Sequence, residues 1–255
     1  MNLLQIEKDG PAITILTLNR PEKRNALNIA LMEEFCRAVD SVSRDESQRV
    51  LVLKGAGPVF CAGLDLKEGS EPANAEKSAH LMAKMLITMS HARPITIAAV
   101  HGAAMAGGAG LMSTCDFVVA SSDAQIGYPE VRRGLVAGLV MTFLRRQLRE
   151  RDIRELLLAG EPVSAARALE MGLVSRVVPP ADVMKEARRI ADAVIEGGPD
   201  ALRRTRKLLD ELWPTTVVHD IERALSHHML ARNSDEAKEG MAAFLEKRKP
   251  RWQNP

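Results

Sequence analysis

A buried strand followed by a run of very small residues constrains this chain more than any other feature of its sequence. Residues 95–100 (ITIAAV) are apolar and rich in β-branched side chains, which is typical of a strand that is buried on both faces. Gly102 breaks the strand, and residues 103–110 (AAMAGGAG) contain one large side chain. Such a run lets the backbone approach another segment closely, whether a ligand or a helix. The pattern predicts a strand, a glycine turn, a small-residue helix that ends at Thr114, and a second strand at residues 117–120.

The start of this small-residue helix has a chemical interpretation. The amides of its first turn, near Gly107, lack an intrahelical acceptor, and the helix dipole adds roughly half a positive charge there. A thioester oxygen bound to these amides would be stabilised as it became an enolate oxygen. The run of small residues therefore fits two interpretations. It can form an oxyanion hole, or it can allow close helix packing, which also requires small residues. Glu130, which follows Pro129, fits a turn or capping carboxylate as well as a catalytic one.

Composition narrows the class of protein. The chain of 255 residues is 46% hydrophobic and 27% charged, which predicts a globular protein with one large domain or a core and an appendage. A net charge of +2 and an aromatic content of 3% argue against a dedicated nucleic-acid-binding protein. Cys36, Cys61 and Cys115 form no CxxC pair, so we expect no disulfides and a reducing compartment. We find no signal peptide and no apolar run long enough to span a bilayer, and therefore expect a soluble cytoplasmic protein.

Strand and helix patterns alternate along the first part of the chain. Asn28 is a candidate cap for a helix with an apolar stripe. A second glycine turn, at residues 62–66, resembles the turn at Gly107 because small residues again follow an apolar run directly. Residues 67–78 are polar and predict a mobile loop, which precedes a helix with apolar residues over 81–89. Apolar runs predict further strands at residues 12–18, 50–53, 59–61 and 174–178.

Helical periodicity dominates after Glu130. Four helices are predicted at residues 139–148, 153–157, 164–172 and 181–196. Three more follow at about 200–212, 216–232 and 234–248. Gly197-Gly198-Pro199 is the best candidate for a linker between the two groups. Strand–helix alternation followed by helices alone predicts an α/β fold with a helical C-terminal addition.

Several familiar catalytic motifs are absent from the sequence. It contains no GxSxG nucleophile turn, no GxxxxGK[ST] phosphate loop and no GxGxxG dinucleotide motif. His227-His228 lacks the HExxH spacing of a zinc site, so we predict no bound metal. The basic residues 247–251 (KRKPR) predict a solvated helix end, although they could also contact phosphates.

Five stretches of the chain match one known family in their order and spacing. They are NRPEKRNALN (19–28), FCAGLDLKE (60–68), AVHGAAMAGGAGLMSTCDFVVAS (99–121), IGYPEVRRGL (126–135) and EGMAAFLEKRKPRW (239–252). Through them the chain resembles the crotonase superfamily, the enoyl-CoA hydratase/isomerase family, essentially from end to end. The resemblance implies a spiral of ββα turns, in which residues 1–196 form a core that binds acyl-CoA. It also implies that residues 199–255 form a helical oligomerisation region, which builds homotrimers or hexamers.

The resemblance assigns site residues by position. The backbone amides of Leu64 and Gly107 should form one oxyanion hole, to which each glycine turn contributes one donor. Phe244 and Lys247 match positions that reach coenzyme A, commonly from a neighbouring subunit. The backbone that should bind the adenosine and pantetheine of coenzyme A belongs to Arg24, Ala26, Ala62, Gly63, Leu64, Asp65, Leu66 and Lys67.

The acid–base residues depart from the family's usual pattern. Hydratases of the family typically hold a water between two glutamates; Glu130 matches the second, and the first falls on Gly110. Hydration needs a water aimed at the β-carbon and a proton for the α-carbon, which two carboxylates provide more easily than one. A 1,3-proton shift needs one base, and family members that move a double bond from the 3- to the 2-position often keep only the second glutamate.

We therefore expect an enzyme that acts on unsaturated acyl-CoA thioesters through an enolate and a single glutamate. Hydration of 2-enoyl-CoA is placed slightly ahead of 3-to-2 isomerisation because hydration is commoner in the family. We expect no metal or redox cofactor, and coenzyme A is part of the substrate. We also expect no membrane or nucleic-acid partner. A non-catalytic acyl-CoA-binding protein and an RNA-binding protein are the alternatives from other classes.

Overall fold

The large central sheet follows the strand periodicity of the sequence. The computed structural model describes residues 2–69 and 71–253. In this part of the chain, six strands form one sheet in the order β1-β2-β3-β4-β6-β9, and three form a second in the order β5-β7-β8. All neighbouring pairs are parallel except β1–β2 and β7–β8. The strands are β1 Leu4–Lys8, β2 Ile13–Leu18, β3 Val50–Gly55, β4 Ile95–Val100, β5 Ala103–Met105, β6 Phe117–Ser121, β7 Gln125–Gly127, β8 Val163–Ser164 and β9 Arg176–Val178.

Two of the helices begin at capping residues that the sequence indicates. Asn28 Oδ1 accepts a hydrogen bond from Leu31 N at 3.0 Å, and Ser164 Oγ accepts one from Arg167 N at 3.2 Å. The helices are α1 Ile29–Arg44, α2 Leu66–Gly69, α3 Pro72–Ser90, α4 Gly107–Ser113, α5 Gly138–Gln147, α6 Glu150–Arg154, α7 Ala165–Met171, α8 Val183–Glu196, α9 Pro199–Glu211, α10 Val217–Arg232 and α11 Asp235–Leu245.

Side chains alternate between the two faces of the large sheet, and each face has its own core. All six residues of β4 are buried, which confirms the strand predicted to be covered on both sides. One face packs against α8 through Ile13, Ile15, Val50, Val52, Ile97, Ala187, Ala191 and Val194. The other face packs against α1 and α3 through Leu16, Leu18, Leu51, Leu53, Ala98, Val100, Phe35, Val39, Met85 and Met89.

The chain winds as a spiral, and two of its turns add one strand to each sheet. β4, β5 and α4 form one turn, and β6, β7 and α5 form the next. In the preceding turn β3 leads to Cys61, which pairs with β5 and is followed by the helices α2 and α3. Cys61 N donates to Ala103 O at 3.1 Å, and Cys61 O accepts from Met105 N at 2.9 Å. The second segments of the three turns therefore lie side by side.

Two sequence predictions in the turn after β3 are wrong. Residues 59–61 do not form a strand, because only Cys61 makes a bridge to Ala104. The described part of the predicted loop at 67–78 is largely helical, since α2 and the start of α3 occupy it; Ser70 lies outside the described residues. Glu68 Oε2 accepts from Ile29 N at 2.7 Å, which fastens α2 to the start of α1. Lys67, Glu71, Glu76 and Lys77 are exposed, whereas Ser78 at the end of the segment is buried.

The C-terminal helices differ in how they meet the rest of the chain. Val217 and Ile221 of α10 belong to the main hydrophobic core, where α10 packs against α5 and α3. α9 buries no residue, but Arg206 Nη1 fastens it to the sheet by pairing with Asp116 Oδ2 at 3.1 Å. The division into residues 1–196 and 199–255 stays a prediction. Across the described ranges, no helix is both long enough and apolar enough to cross a membrane.

Candidate active site

Two backbone N–H groups from different turns of the spiral lie close together at one cavity. A Cβ built on Gly107 would lie 3.8 Å from Leu64 N, and one built on Gly63 would lie 3.2 Å from Gly107 N. Leu64 and Gly107 both line the cavity. Neither N–H donates a hydrogen bond to any residue that the structure describes. Two free donors beside one cavity can together bind a single ligand oxygen.

Leu64 is held from the side away from Gly107. It bridges Leu27: Leu27 N donates to Gly63 O at 2.8 Å, and Asp65 N donates to Leu27 O at 3.0 Å. In this pairing the N–H of Leu64 itself points away from Leu27. Arg20 secures the turn further, since its Nη1 donates to Asp65 Oδ2 at 2.7 Å and to Ala26 O at 3.0 Å.

An unusual backbone conformation at Ala106 turns the N–H of Gly107 out of the chain's own hydrogen bonding. Ala106 has φ 49° and ψ −124°, a region that non-glycine residues rarely adopt and that costs on the order of 1–3 kcal/mol. Ala106 N donates to Gly127 O at 2.8 Å, which holds the conformation. Because α4 covers only seven residues, its dipole is small, and the two N–H groups themselves provide the positive potential.

Gly63 permits the close approach of the two turns. Its φ is 90°, which disfavours any side chain, and a Cβ there would lie 2.8 Å from Met105 O and 3.0 Å from Ala106 Cβ. Contacts below 3.0 Å would force the two turns apart. Both small-residue turns are visible in the sequence, and in the structure they pack against each other.

Glu130 supplies a carboxylate to the same cavity. It lies in the 3-10 turn Pro129–Arg133, and its Oε2 is buried without a hydrogen-bond partner. Burial raises the pKa of Glu130 from 4.5 to about 7, although its own backbone N–H and the nearby charge of Arg133 act to lower it. A carboxyl group that titrates near neutrality suits proton transfer in both directions.

The cavity combines charged and apolar walls. Its volume is about 1090 Å³. Basic side chains from the first loop lie along it, together with apolar side chains from α3 and α5: Arg20, Lys23, Arg24, Met82, Leu139 and Val140. Phe244 of α11 also lines it and stacks on Arg133, whose guanidinium carbon lies 4.2 Å from the ring centre. Such a lining suits a ligand with a charged portion and an apolar portion.

A family model for enoyl-CoA hydratase/isomerase matches residues 8–255. The chain belongs to the enoyl-CoA hydratase/isomerase family. It is 36% identical to mevalonyl-coenzyme A hydratase sidH of Aspergillus fumigatus over 95% of this chain and 92% of that protein. It is 35% identical to enoyl-CoA hydratase EchA19 of Mycobacterium tuberculosis over 98% of this chain and 96% of that protein.

Solved structures confirm the expected fold. The crystal structure of an enoyl-CoA hydratase from Mycobacterium avium superposes with a TM-score of 0.88 at 32% identity, over 99% of both chains. The fold of this protein is therefore the ββα spiral of the crotonase superfamily, as the sequence resemblance implies. Membership of the enoyl-CoA hydratase/isomerase family makes it an enzyme of acyl-CoA chemistry.

The family resemblance assigns Gly110 to the position of the first glutamate, and the structure shows what surrounds Gly110. A Cβ built on Gly110 would lie 2.3 Å from Val140 Cγ1 and 3.8 Å from Leu86 Cδ2. Val140 of α5 therefore occupies the volume that a side chain at position 110 would need. Gly110 itself is buried and does not line the cavity.

Most of the residues assigned from the family resemblance lie along the cavity. Gly63 is buried behind Leu64, and Lys247 lies outside the cavity of its own chain with φ 54°. The remaining assigned residues line the cavity: Arg24, Ala26, Ala62, Leu64, Asp65, Leu66, Lys67, Gly107, Glu130 and Phe244. Their roles in binding and catalysis stay predictions.

Sequence reasoning missed several residues that shape the site. Val140 and Ala106 carry no motif, because one matters through the space it fills and the other through its backbone angles. His228 and Arg232 of α10 line the cavity from a part of the chain that was assigned to oligomerisation. No cluster of three metal-ligating side chains occurs within residues 2–69 and 71–253.

Proposed function

We propose that this protein binds an unsaturated acyl-CoA thioester and stabilises its enolate with the N–H groups of Leu64 and Gly107. The observation that carries the proposal is the pair of partnerless backbone donors beside a cavity that is also lined by Glu130, whose Oε2 is buried without a partner. In this arrangement the thioester oxygen accepts both hydrogen bonds, and negative charge that develops on it is stabilised. Removal of one such donor typically lowers kcat by about 100- to 1000-fold.

The first candidate reaction is the hydration of a 2-enoyl-CoA. Glu130 takes a proton from a water whose oxygen bonds to the β-carbon, while the π electrons move through the α-carbon to the thioester oxygen. Protonated Glu130 then gives a proton to the α-carbon, so that the elements of water have been added and the carboxylate is regenerated. Two relatives in the family are named as hydratases, which supports this reaction. The reaction balances with water alone and requires no metal or redox cofactor.

The second candidate is the shift of a double bond from the 3- to the 2-position. Glu130 removes a proton from the α-carbon, the dienolate is held by Leu64 N and Gly107 N, and the same proton returns to the γ-carbon. The contact between Gly110 and Val140 favours this reaction, because it leaves no room for a second carboxylate at that position. An apolar wall there also leaves fewer groups to hold a reacting water.

Product analysis separates these candidates. Purified protein is incubated with a 2-enoyl-CoA or a 3-enoyl-CoA, each alone, and the products are separated by liquid chromatography. A 3-hydroxyacyl-CoA formed from the 2-enoyl-CoA identifies a hydratase, whereas a 2-enoyl-CoA formed from the 3-enoyl-CoA identifies an isomerase. If neither turns over although both bind, the protein is the non-catalytic acyl-CoA-binding alternative.

We also propose that the chain assembles with copies of itself into trimers or hexamers. α9 buries none of its residues within the chain, and three leucines at its C-terminal end are exposed: Leu208, Leu209 and Leu212, the residue that directly follows the helix. Phe244 is half exposed beside the cavity, where a neighbouring copy could cover it.

The three buried, unpaired cysteines suit a reducing cytoplasm.

A further inference from the structure

Arg232, the last residue of α10, is buried without an ion-pair partner. Only 4% of the residue is exposed. Its Nη2 donates to Gly69 O and lies 3.5 Å from Ser78 Oγ, but its Nε and Nη1 are buried and have no hydrogen-bond partner. Among the described residues, no carboxylate lies within ion-pair distance of this guanidinium. Burial lowers the pKa of Arg232, as expected for a cation that lacks an anion.

This guanidinium lies in the wall of the candidate active site. A Cβ built on Gly69 would lie 2.9 Å from Arg232 Nη2 and 3.3 Å from Leu64 Cδ2, so the guanidinium lies next to the Leu64 side chain. Arg232 and Leu64 both line the cavity. Arg232 is therefore close to the residue whose N–H is proposed to bind the thioester oxygen.

His228 stands beside Arg232 on the same face of α10. The two residues are one helical turn apart, and both line the cavity. His228 Nδ1 lies 3.3 Å from Val136 O. Burial and the nearby charge of Arg232 lower the pKa of His228, which favours the neutral imidazole beside the guanidinium.

Apart from Glu130, the acidic groups that line the cavity are engaged elsewhere. Asp65 pairs with Arg20 at 2.7 Å, and Glu68 Oε2 accepts from Ile29 N at 2.7 Å. Glu71 Oε2 accepts from Asn74 Nδ2 at 2.8 Å. A buried cation is strongly destabilising unless an anion or hydrogen-bond acceptors compensate it. The missing compensation can come from a ligand that enters the cavity.

Building on the proposed function, we propose that the acyl group of the substrate carries a second carboxylate and that Arg232 binds it. The substrate class is then the coenzyme A monoester of an unsaturated dicarboxylic acid. Its thioester oxygen accepts from Leu64 N and Gly107 N, and its free carboxylate accepts from the unpaired N–H groups of Arg232. Charge-assisted hydrogen bonds of this kind are about twice as strong as neutral ones and select for the charged chain end.

Binding of saturated analogues tests this without depending on turnover. The full-length protein is titrated calorimetrically with glutaryl-CoA, which has a terminal carboxylate, and with pentanoyl-CoA, which has the same chain length and a methyl end. We expect glutaryl-CoA to bind about 10- to 100-fold more tightly. Arg232→Met should remove this preference and leave the affinity for pentanoyl-CoA within about threefold, because the guanidinium interacts with the carboxylate and not with the methyl end. Arg232→Lys should keep part of the preference, since it keeps the charge.

The matched control is Arg223→Met, at an exposed position of the same helix, which should keep the full preference. Circular dichroism establishes whether each variant is folded, and the wild-type comparison and Arg232→Lys still decide if Arg232→Met does not fold. Equal affinity of the wild type for both thioesters overturns the inference, even if unsaturated pentenoyl-CoA is turned over. An unchanged preference in folded Arg232→Met overturns the role of Arg232. Failure of both thioesters to bind overturns the proposed function and this inference with it.

Discussion

Glu130 combines two properties that are seldom found together in a surface turn. It follows Pro129 on a short 3-10 segment, yet its Oε2 is buried and without a partner. The cost of burying a charge raises its pKa to about 7, and the nearby Arg133 offsets this only in part. The carboxylate can thus both remove and return a proton near neutral pH, which is what a single-base mechanism demands.

Replacing Glu130 by Gln tests its role directly. We expect kcat to fall by about 10²- to 10⁴-fold, because the amide cannot transfer the proton. The Kd for a saturated acyl-CoA, measured by calorimetry, should change by less than about threefold, since glutamine has nearly the same size. Glu161→Gln, at an exposed position, serves as the control and should leave both quantities unchanged. Turnover at the wild-type rate in Glu130→Gln would remove this residue from the mechanism.

The pH dependence of the reaction should report the same group. The base acts in its ionised form, so kcat/KM should be constant above about pH 8 and fall about tenfold per pH unit below pH 6. The midpoint should lie near the pKa of about 7 that burial gives Glu130. Initial rates over pH 5–9, with enzyme stability checked at each pH, provide the measurement. A rate that stays flat down to pH 5 would contradict the assignment.

The raised pKa of Glu130 should also make the free energy of unfolding depend on pH. The folded pKa of Glu130, about 7, lies above its ordinary value of 4.5, so the folded state holds a proton that the unfolded state loses. Stability from this group is therefore present at low pH and is lost as the pH rises from about 4.5 to 7. We expect Glu130→Gln to stabilise the protein against urea at pH 8 by on the order of 1 kcal/mol, and by much less at pH 5. Equal effects at the two pH values would show that the carboxylate is not desolvated.

α4 and α5 pack closely at Gly110 and Val140, and this contact has measurable consequences. A Cβ at position 110 would lie 2.3 Å from Val140 Cγ1. We expect Gly110→Ala to lower the free energy of unfolding by about 1–3 kcal/mol, because overpacking outweighs the gain from alanine in a helix. Denaturant titration measures this, and the double variant Gly110→Ala/Val140→Ala should recover part of the loss.

The control for this contact is Gly198→Ala, where an added Cβ would meet nothing closer than 3.7 Å. It should change the unfolding free energy by less than about 0.5 kcal/mol. If Gly110→Ala proves equally harmless, α5 does not pack against α4 as tightly as the structure indicates.

The elements that the sequence predicted well are those set by local pattern. The buried strand at 95–100, the helix capped by Asn28 and the small-residue helix near Gly107 all appear, because periodicity and capping act over a few residues. β5 and β7 were missed, since three-residue strands carry too little pattern to distinguish them from a turn. The segment 67–78 was predicted as a loop from its polarity, but polar residues also cover the outer face of an amphipathic helix.

The site itself was predictable only in part. The two glycine turns are visible as separate features of the sequence, and the family resemblance was needed to join them. Val140 fills the space beside Gly110, and Arg232 reaches Leu64, through packing between segments far apart in the chain. Neither contact leaves a local sequence signal, so only the folded structure reveals them.

At the scale of the whole molecule, the C-terminal helices contribute to the core and to the cavity as well as to the exposed surface. α10 joins the main core and brings His228 and Arg232 to the cavity, while Phe244 and Leu245 of α11 reach it as well. By contrast, Leu209 of α9 is 66% exposed, and Leu212, which directly follows α9, is 74% exposed. These leucines are the most direct test of the proposed assembly.

Replacing both Leu209 and Leu212 by Glu should weaken association of the subunits. We expect the mass measured by light scattering after size exclusion to fall from that of a trimer or hexamer towards that of a single chain, because buried charges are unfavourable at an interface. Leu169→Glu, at an exposed position on α7, is the control and should leave the mass unchanged. A wild-type protein that is already a single chain at micromolar concentration would contradict the proposed assembly.

The strained amide turn at Ala106 and the turn held by Leu27 belong to different windings of the spiral, and neither can present a paired donor site by itself. The site therefore comes into being only when these windings have docked against each other through Gly63. A partly folded chain in which these windings have not docked lacks the paired donors and cannot stabilise an enolate. The onset of turnover during refolding therefore reports when these two windings have docked.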